Sequence, residues 1–269
     1  MLASLIIVIG SLILIVSVIV FNGASSLSFE MLTQTSEGSF YLSSGGGFLN
    51  AIVGSLILAL PATAFAFIVS VFIAMYLQKD FISSAFSSFI RMCLDIMWGI
   101  PSIVYGVFAL TIMIAVGLRG GSVLFGIIAL TLLEIPIITR SIDESIKVVP
   151  DGLKESAYSL GSTRFETALH VVRRQAMPGI VAGVLLGFGR GIGDAASILL
   201  TVGDSNYFPT SVLDQTAALP TIILNLAGMP EKTVQNKAYA VAFILLLIVL
   251  TISILTRYLT KKSSRYIIK

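Results

Sequence analysis

The sequence predicts an all-α membrane protein with six transmembrane helices, and three observations carry that prediction. Of its 269 residues, 56% are hydrophobic and only 12% are charged, about half the charge of a soluble domain. Mean hydropathy is correspondingly high at +0.99. Six stretches, about 2–21, 50–77, 88–116, 121–141, 177–202 and 237–259, each supply the roughly 20 apolar residues that a helix needs to cross the hydrocarbon core. The positive charges also segregate. With both termini in the cytoplasm, the loops near 78–91 and 140–176 and the tail after 257 hold thirteen Lys and Arg, while the opposite loops hold only Arg119, Lys232 and Lys237. Such asymmetry sets orientation. It also accounts for the net charge of +3 without invoking nucleic acid.

The first span begins directly after Met1, with neither a charged start nor a small-residue cleavage site, and is read as uncleaved. The outer loop 22–49 is rich in Ser and Gly and includes Gly45-Gly46-Gly47, a flexible connector. In the third span Arg91 and Asp95, four apart, predict an ion pair at the cytoplasmic end. In the fourth, Glu134 is expected to reach the cytoplasmic interface near Arg140. Pro101 and Pro136 free backbone groups and predict kinks. The outer loop 203–236 contains Tyr207-Phe208-Pro209 and an apolar run from Leu219 to Leu226. That run is too short to span and is expected at the interface or as a shallow re-entrant segment. Cys93 and His170 each occur once, which excludes an intrachain disulfide and a Cys/His metal site.

The fifth stretch is the unusual one. Arg190 lies about 20 Å from either end of it at 1.5 Å per residue, too deep to snorkel. Asp194, Ser197 and Thr201 follow at helical spacing, predicting one polar stripe. A charge so placed costs about 2.5–3.5 kcal/mol on insertion scales and marks a functional site by default. Two readings stand: a mutual Arg190–Asp194 pair that fixes packing, or a polar strip lining the path of an anion. Gly179, Gly183, Gly187 and Gly191 recur every four residues, the small-residue pattern that lets helices approach closely. Gly189 and Gly193 flank Arg190 off that row.

The cytoplasmic segment 150–175 reads PDGLKESAYSLGSTRFETALHVVRRQ. Pro150-Asp151 suits a helix start and Gly161 a sharp break between two short helices. Leu153, Ala157 and Leu160 give the first an apolar edge. Spacing alone leaves two readings, docking into a soluble partner or lying on the membrane.

Glu155-Ser156-Ala157, Gly161, Val171 and Gly179-Ile180 resemble the EAA motif of ABC-importer permeases, with Ser156 for the first alanine and Arg173-Arg174 for the usual Leu-Pro. Pro101-Ser102-Ile103-Val104-Tyr105-Gly106 is similar to the PSIVYG of phosphate-importer permeases, and Asn50-Ala51-Ile52-Val53-Gly54-Ser55 to their NAIVGT. Thr216-Ala217-Ala218-Leu219-Pro220 resembles the TAALP of the PstA type. Arg190-Gly191-Ile192-Gly193-Asp194-Ala195-Ala196 resembles R-A-x-G-E-T-A, with Asp194 for Glu and Ala195 for Thr. The motifs run in family order over roughly residues 48–258.

The resemblance implies a type I ABC-importer permease fold and a subunit of an ATP-driven importer of inorganic phosphate. Glu155, Ala157 and Gly161 would form the coupling helix. Arg190, Asp194, Ser197 and Thr201 would line the substrate path. The glycine row 179–191 would pack on a partner permease. Implied partners are a PstC-type permease, an ATPase dimer, an extracytoplasmic phosphate-binding protein and membrane lipid, with no nucleic acid. No GxxxxGK[ST] loop occurs, so ATP is used by the partner and this chain is expected to be no enzyme, to bind no cofactor and to hold no metal. The implied organisation is 1–47 for the first span and outer loop, 48–259 for the transmembrane domain and 260–269 for a basic tail, in the prokaryotic inner membrane. Rival readings are import of another oxyanion such as sulfate or molybdate, ion-gradient transport, and an intramembrane hydrolase. The last lacks a G-x-S-x-G and a histidine at membrane depth; ATP-dependence of uptake discriminates the second.

Overall fold

In a computed structural model, residues 2–36 and 46–263 are described, and among them every regular element is helical. Gly45 of the expected connector and the tail beyond Ser263 lie outside them. Val123–Lys147 (α6) is the helix that the others pack around: buried residues from Val123 to Ile146 run round most of its circumference. Of its most apolar window 67% is buried, against 0% for Leu2–Ser26 (α1). After the short Phe29–Thr33 (α2), Leu49–Tyr76 (α3) covers one side of α6 and Arg173–Ile192 (α9) another. Lys232–Ser263 (α11) closes on α1 and on the short Leu219–Ala227 (α10). Among the described residues, five helices are long and apolar enough to cross a membrane, six if one bent pair counts as a single span.

That pair is Ser84–Gly99 (α4) and Ser102–Ala115 (α5), which meet at 95°. The expected third span is therefore two helices, and Pro101 makes a corner rather than a kink. Proline disfavours the helical region for the residue before it. Ile100 (ψ 130°) and Pro101 (ψ 135°) are both extended, so the chain turns between them.

The Arg91–Asp95 pair also differs from expectation. Each residue reaches across to α6: Arg91 Nε and Nη2 donate to Asp143 at 2.8 and 3.0 Å, and Arg140 Nε pairs with Asp95 at 2.9 Å. Arg91 Nη2 also donates to the Leu77 carbonyl at 3.1 Å, and Lys147 Nζ lies 3.0 Å from Asp143. Asp143 is fully buried. Removing one partner of a buried pair like this costs about 3–5 kcal/mol, so Arg91–Asp143 locks the α3–α4–α6 corner.

The glycine row packs within the chain. A Cβ at Gly179, Gly183, Gly187 or Gly191 would strike Ser145, Ser141, Ile138 or Glu134 in turn, an antiparallel register along α6. The expected partner-permease contact is thus filled by the protein's own α6, and the close approach of two backbones is why the row is glycine. The run Leu219–Leu226, too short to span, is a helix packed on the body. As α10 it buries Leu219, Ile222 and Leu226 against Phe48, Val241 and Ile244.

Candidate anion site and coupling segment

Helix α9 ends at Ile192, ten residues before the expected end of the fifth span. Residues 193–218 are turns and loop; Asp194, Ser197, Ile198, Thr201, Val202 and residues 216–218 are buried, while the tip around residues 207–213 is largely exposed, and hydrogen bonds pin the segment to the body. Ser122 N donates to the Thr201 carbonyl at 2.7 Å, Thr216 N to Val202 at 3.2 Å, and Asn50 Nδ2 to Ser205 at 2.7 Å. Irregular backbone at membrane depth is tolerated only where protein satisfies it. The sequence signal was present but unread: Gly187, Gly189, Gly191 and Gly193 weaken the helix, and Asp194 competes for the backbone. Asp194 Oδ2 accepts from Ser197 N at 2.9 Å, capping the turn.

This breaks the expected stripe. Arg190 sits in the last turn of α9, where a cation is favoured by the helix dipole. Asp194 is buried and lies 3.5 Å from Arg190 Nη2. Ser197 and Thr201 are fully buried; Thr201 Oγ1 donates back to the Ile198 carbonyl at 3.3 Å, and neither joins Arg190 on a lining surface. Arg190 itself is 53% exposed. It opens on a recess of about 260 Å³ walled by Met97, Trp98, Ile100, Leu133, Ile137 and Leu186, room for several water-sized groups. Among the described residues, Arg190 is the one charged side chain in that wall. The α4–α5 corner supplies Met97, Trp98 and Ile100, which sequence reasoning missed because it read that segment as a straight span. Glu134, expected at the interface, is fully buried against Gly191.

At the far end of α6, the expected helix pair is present. Asp151–Ser159 (α7) ends on Gly161 at φ +85°, with Gly161 N donating to Tyr158 O at 3.0 Å and Ser162 N to Ala157 O at 3.1 Å. That is a Schellman cap, and it needs a residue that tolerates positive φ. Thr163 and Glu166 then form a capping box that starts Arg164–Glu166 (α8), followed by one π-helical stretch, Thr167–Val172, into α9. Ala157 is buried and Leu153 half-buried toward the body, while Glu155 is exposed. Leu160 departs from the expected apolar edge: it is 88% exposed, with Phe165 nearby at 64%.

The sequence profile of the binding-protein-dependent transport system inner membrane component family matches residues 66–265. The chain belongs to that family. This permease is 32% identical to the phosphate transport system permease protein PstA of Yersinia pestis over 90% of its own length and 81% of the relative's. It is 31% identical to PstA of Mycobacterium leprae over 93% and 83%, and 31% identical to that of Haemophilus influenzae over 88% and 82%. Among solved structures, it aligns with a chain of the MetNI methionine ABC transporter in an inward-facing conformation at TM-score 0.65 and 20% identity, covering 81% of this permease and 96% of that chain. A bacterial alginate ABC transporter aligns at TM-score 0.66 and 13% identity over 99% and 96%. The fold is that of a type I ABC-importer permease, and the permease is a multi-pass membrane protein.

Proposed function

We propose that this chain is the PstA-type subunit of an ATP-driven importer of inorganic phosphate, and that Arg190 handles the anion. The single observation that carries the site is a lone arginine, half exposed, at the wall of an otherwise apolar recess. A hydrated oxyanion leaving water needs its hydration replaced. A guanidinium does this with two parallel donors and a charge that burial does not remove. Asp194 keeps Arg190 paired when the recess is empty, at 3.5 Å and therefore loosely, as release requires. Ser197 and Thr201 act by shaping the turn behind the site, not by touching substrate.

Energy comes from outside the chain: this subunit hydrolyses nothing and binds no cofactor, and ATP is used by an ATPase dimer. The α7–α8 pair, with Glu155, Ala157 and Gly161, docks on that dimer through exposed Leu160 and Phe165, and residues 48–259 act as one transport domain. A PstC-type permease completes the pathway, and an extracytoplasmic phosphate-binding protein delivers the ion. Both termini are cytoplasmic. The relatives named PstA, alike over most of both chains, support phosphate over sulfate or molybdate.

The test is phosphate uptake by the complete complex in vesicles. Arg190→Gln removes the charge and the charge-assisted bonds, worth about 1.5–3 kcal/mol, and is expected to lower uptake about ten- to a hundredfold with assembly intact. Arg190→Lys is expected to restore part of it. If the arginine served only as half of a structural pair, combining Arg190→Gln with Asp194→Asn would recover uptake; continued loss supports the anion role. Normal uptake by Arg190→Gln alone would remove the assignment.

A further inference from the structure

We infer that Glu134 is a second acid partner of Arg190, a positioning residue that takes the guanidinium as the anion leaves. The inference rests on the anion role proposed for Arg190. Glu134 is fully buried in the middle of α6, and neither carboxyl oxygen has a hydrogen-bond partner. Among the described residues, no other buried carboxyl lacks partners on both oxygens. Thr63 of α3 lies beside the carboxyl, close enough to act on it but outside good hydrogen-bond geometry, and its own Oγ1 is likewise unpartnered. Burying an acid unsatisfied costs several kcal/mol, and such a group in a native protein requires a reason. Packing does not supply one, since a leucine or methionine would fill the space without that cost.

Its location supplies the reason. The carboxyl presses on the backbone at Gly191, where any Cβ would collide with Oε1, and its Oε2 faces Gly187 across the same helix contact. Gly191 adjoins Arg190, and consecutive Cα atoms are about 3.8 Å apart. Glu134 therefore lies inside the radius that the arginine side chain sweeps. The recess wall points the same way: Leu133 and Ile137, on either side of Glu134 along α6, line it together with Arg190.

The present partner is poorly equipped to hold the guanidinium alone. Asp194 Oδ2 is committed to the Ser197 amide, and only Oδ1 faces Arg190, at 3.5 Å. Glu134 offers two free oxygens. A small rotation about the glycine contact exchanges one acid for the other, and the acid that claims the guanidinium displaces the anion from it. Glu134 thereby weakens anion residence and speeds release, which a conducting site requires.

The experiment measures KM and Vmax for phosphate uptake by the complete complex in vesicles, with Arg190→Gln run beside it. Glu134→Gln keeps shape and removes the competing charge. KM is expected to fall about fivefold or more, the low end of ordinary coupling between sites, and Vmax to fall with it because release slows. A residue that merely filled space would leave KM unmoved. Glu134→Asp, with the charge kept but withdrawn by one methylene, is expected to fall between wild type and Glu134→Gln. If both acids serve one arginine, Glu134→Gln and Asp194→Asn should be non-additive in KM. Wild-type KM and Vmax in an assembled Glu134→Gln complex overturn the inference, as does failure of both Glu134 variants to assemble. Normal uptake by Arg190→Gln would instead fail the anion role itself, whatever Glu134 does.

Discussion

Substitutions at Gly161 should rank by conformation and not by size. The residue sits at φ +85° and no atom lies within 4 Å of where a Cβ would be. Sterics with neighbours therefore contribute nothing, and the whole penalty is the left-handed backbone. For a non-glycine residue that costs about 1–2 kcal/mol, more for a β-branched one, and little for asparagine. Two hydrogen bonds of the Schellman cap depend on the same angle, Gly161 to Tyr158 and Ser162 to Ala157, each worth about 1 kcal/mol. Gly161→Val thus faces about 2–4 kcal/mol and should unwind the link between α7 and α8. In the proposed importer the readout is phosphate uptake per ATP hydrolysed. The expected order of uncoupling is Asn, then Ala, then Val, with membrane levels nearly constant because the α3–α6–α9 core is untouched. An order that follows side-chain volume, or normal coupling in Gly161→Val, would refute both the cap argument and the coupling role.

Other measurements address the remaining assignments. In a Cys93→Ser background, Tyr207→Cys, 82% exposed, should label with an impermeant thiol reagent from outside, and Leu160→Cys only after cells are opened; the reverse pattern would overturn the orientation. Ser44, which suits the same experiment by sequence, lies outside the described residues. Gly183→Leu should force Ser141 away and separate α9 from α6, lowering the yield of folded permease in detergent, whereas Gly189→Ala meets open space and should fold normally. Asp143→Ala should cost about 3–5 kcal/mol by stranding Arg91, seen as earlier thermal loss of the folded form; a stability equal to wild type would show the corner to be held by packing alone.

Much of the fold was legible because hydrophobic length is a strong signal: five of the six expected spans contain a continuous apolar helix. The cap at Gly161 was legible too, since few residues besides glycine end a helix that way. What escaped was the behaviour of polar residues inside apolar stretches. Apolar length alone does not distinguish a helix through lipid from buried loop held by other segments, so 193–202 was read as helix. Its helix-like spacing then placed Arg190, Asp194, Ser197 and Thr201 on a face that does not form. Only Arg190 and Asp194 stay together, because their i,i+4 spacing still holds across the helix end.

The same limit explains the misassigned ion pairs and shows which charges are available for function. Arg91 and Asp95 look like an i,i+4 pair, but α6 offers Asp143 and Arg140 with the opposite order of charge, and two cross-helix pairs hold helices together where one local pair cannot. Once Arg91 is bound to a fully buried acid and a backbone carbonyl, it is not free to exchange partners. Arg190 differs on each count: a single acid, a long contact, and a half-exposed side chain at the wall of a recess. An anion competes for a guanidinium only where the existing partner holds it weakly. By that criterion Arg190 is the exchangeable cation and Arg91 the structural one. Insertion cost marks Arg190 as the deeper charge; the packing of α6 against its neighbours shows which of the two is free to exchange partners.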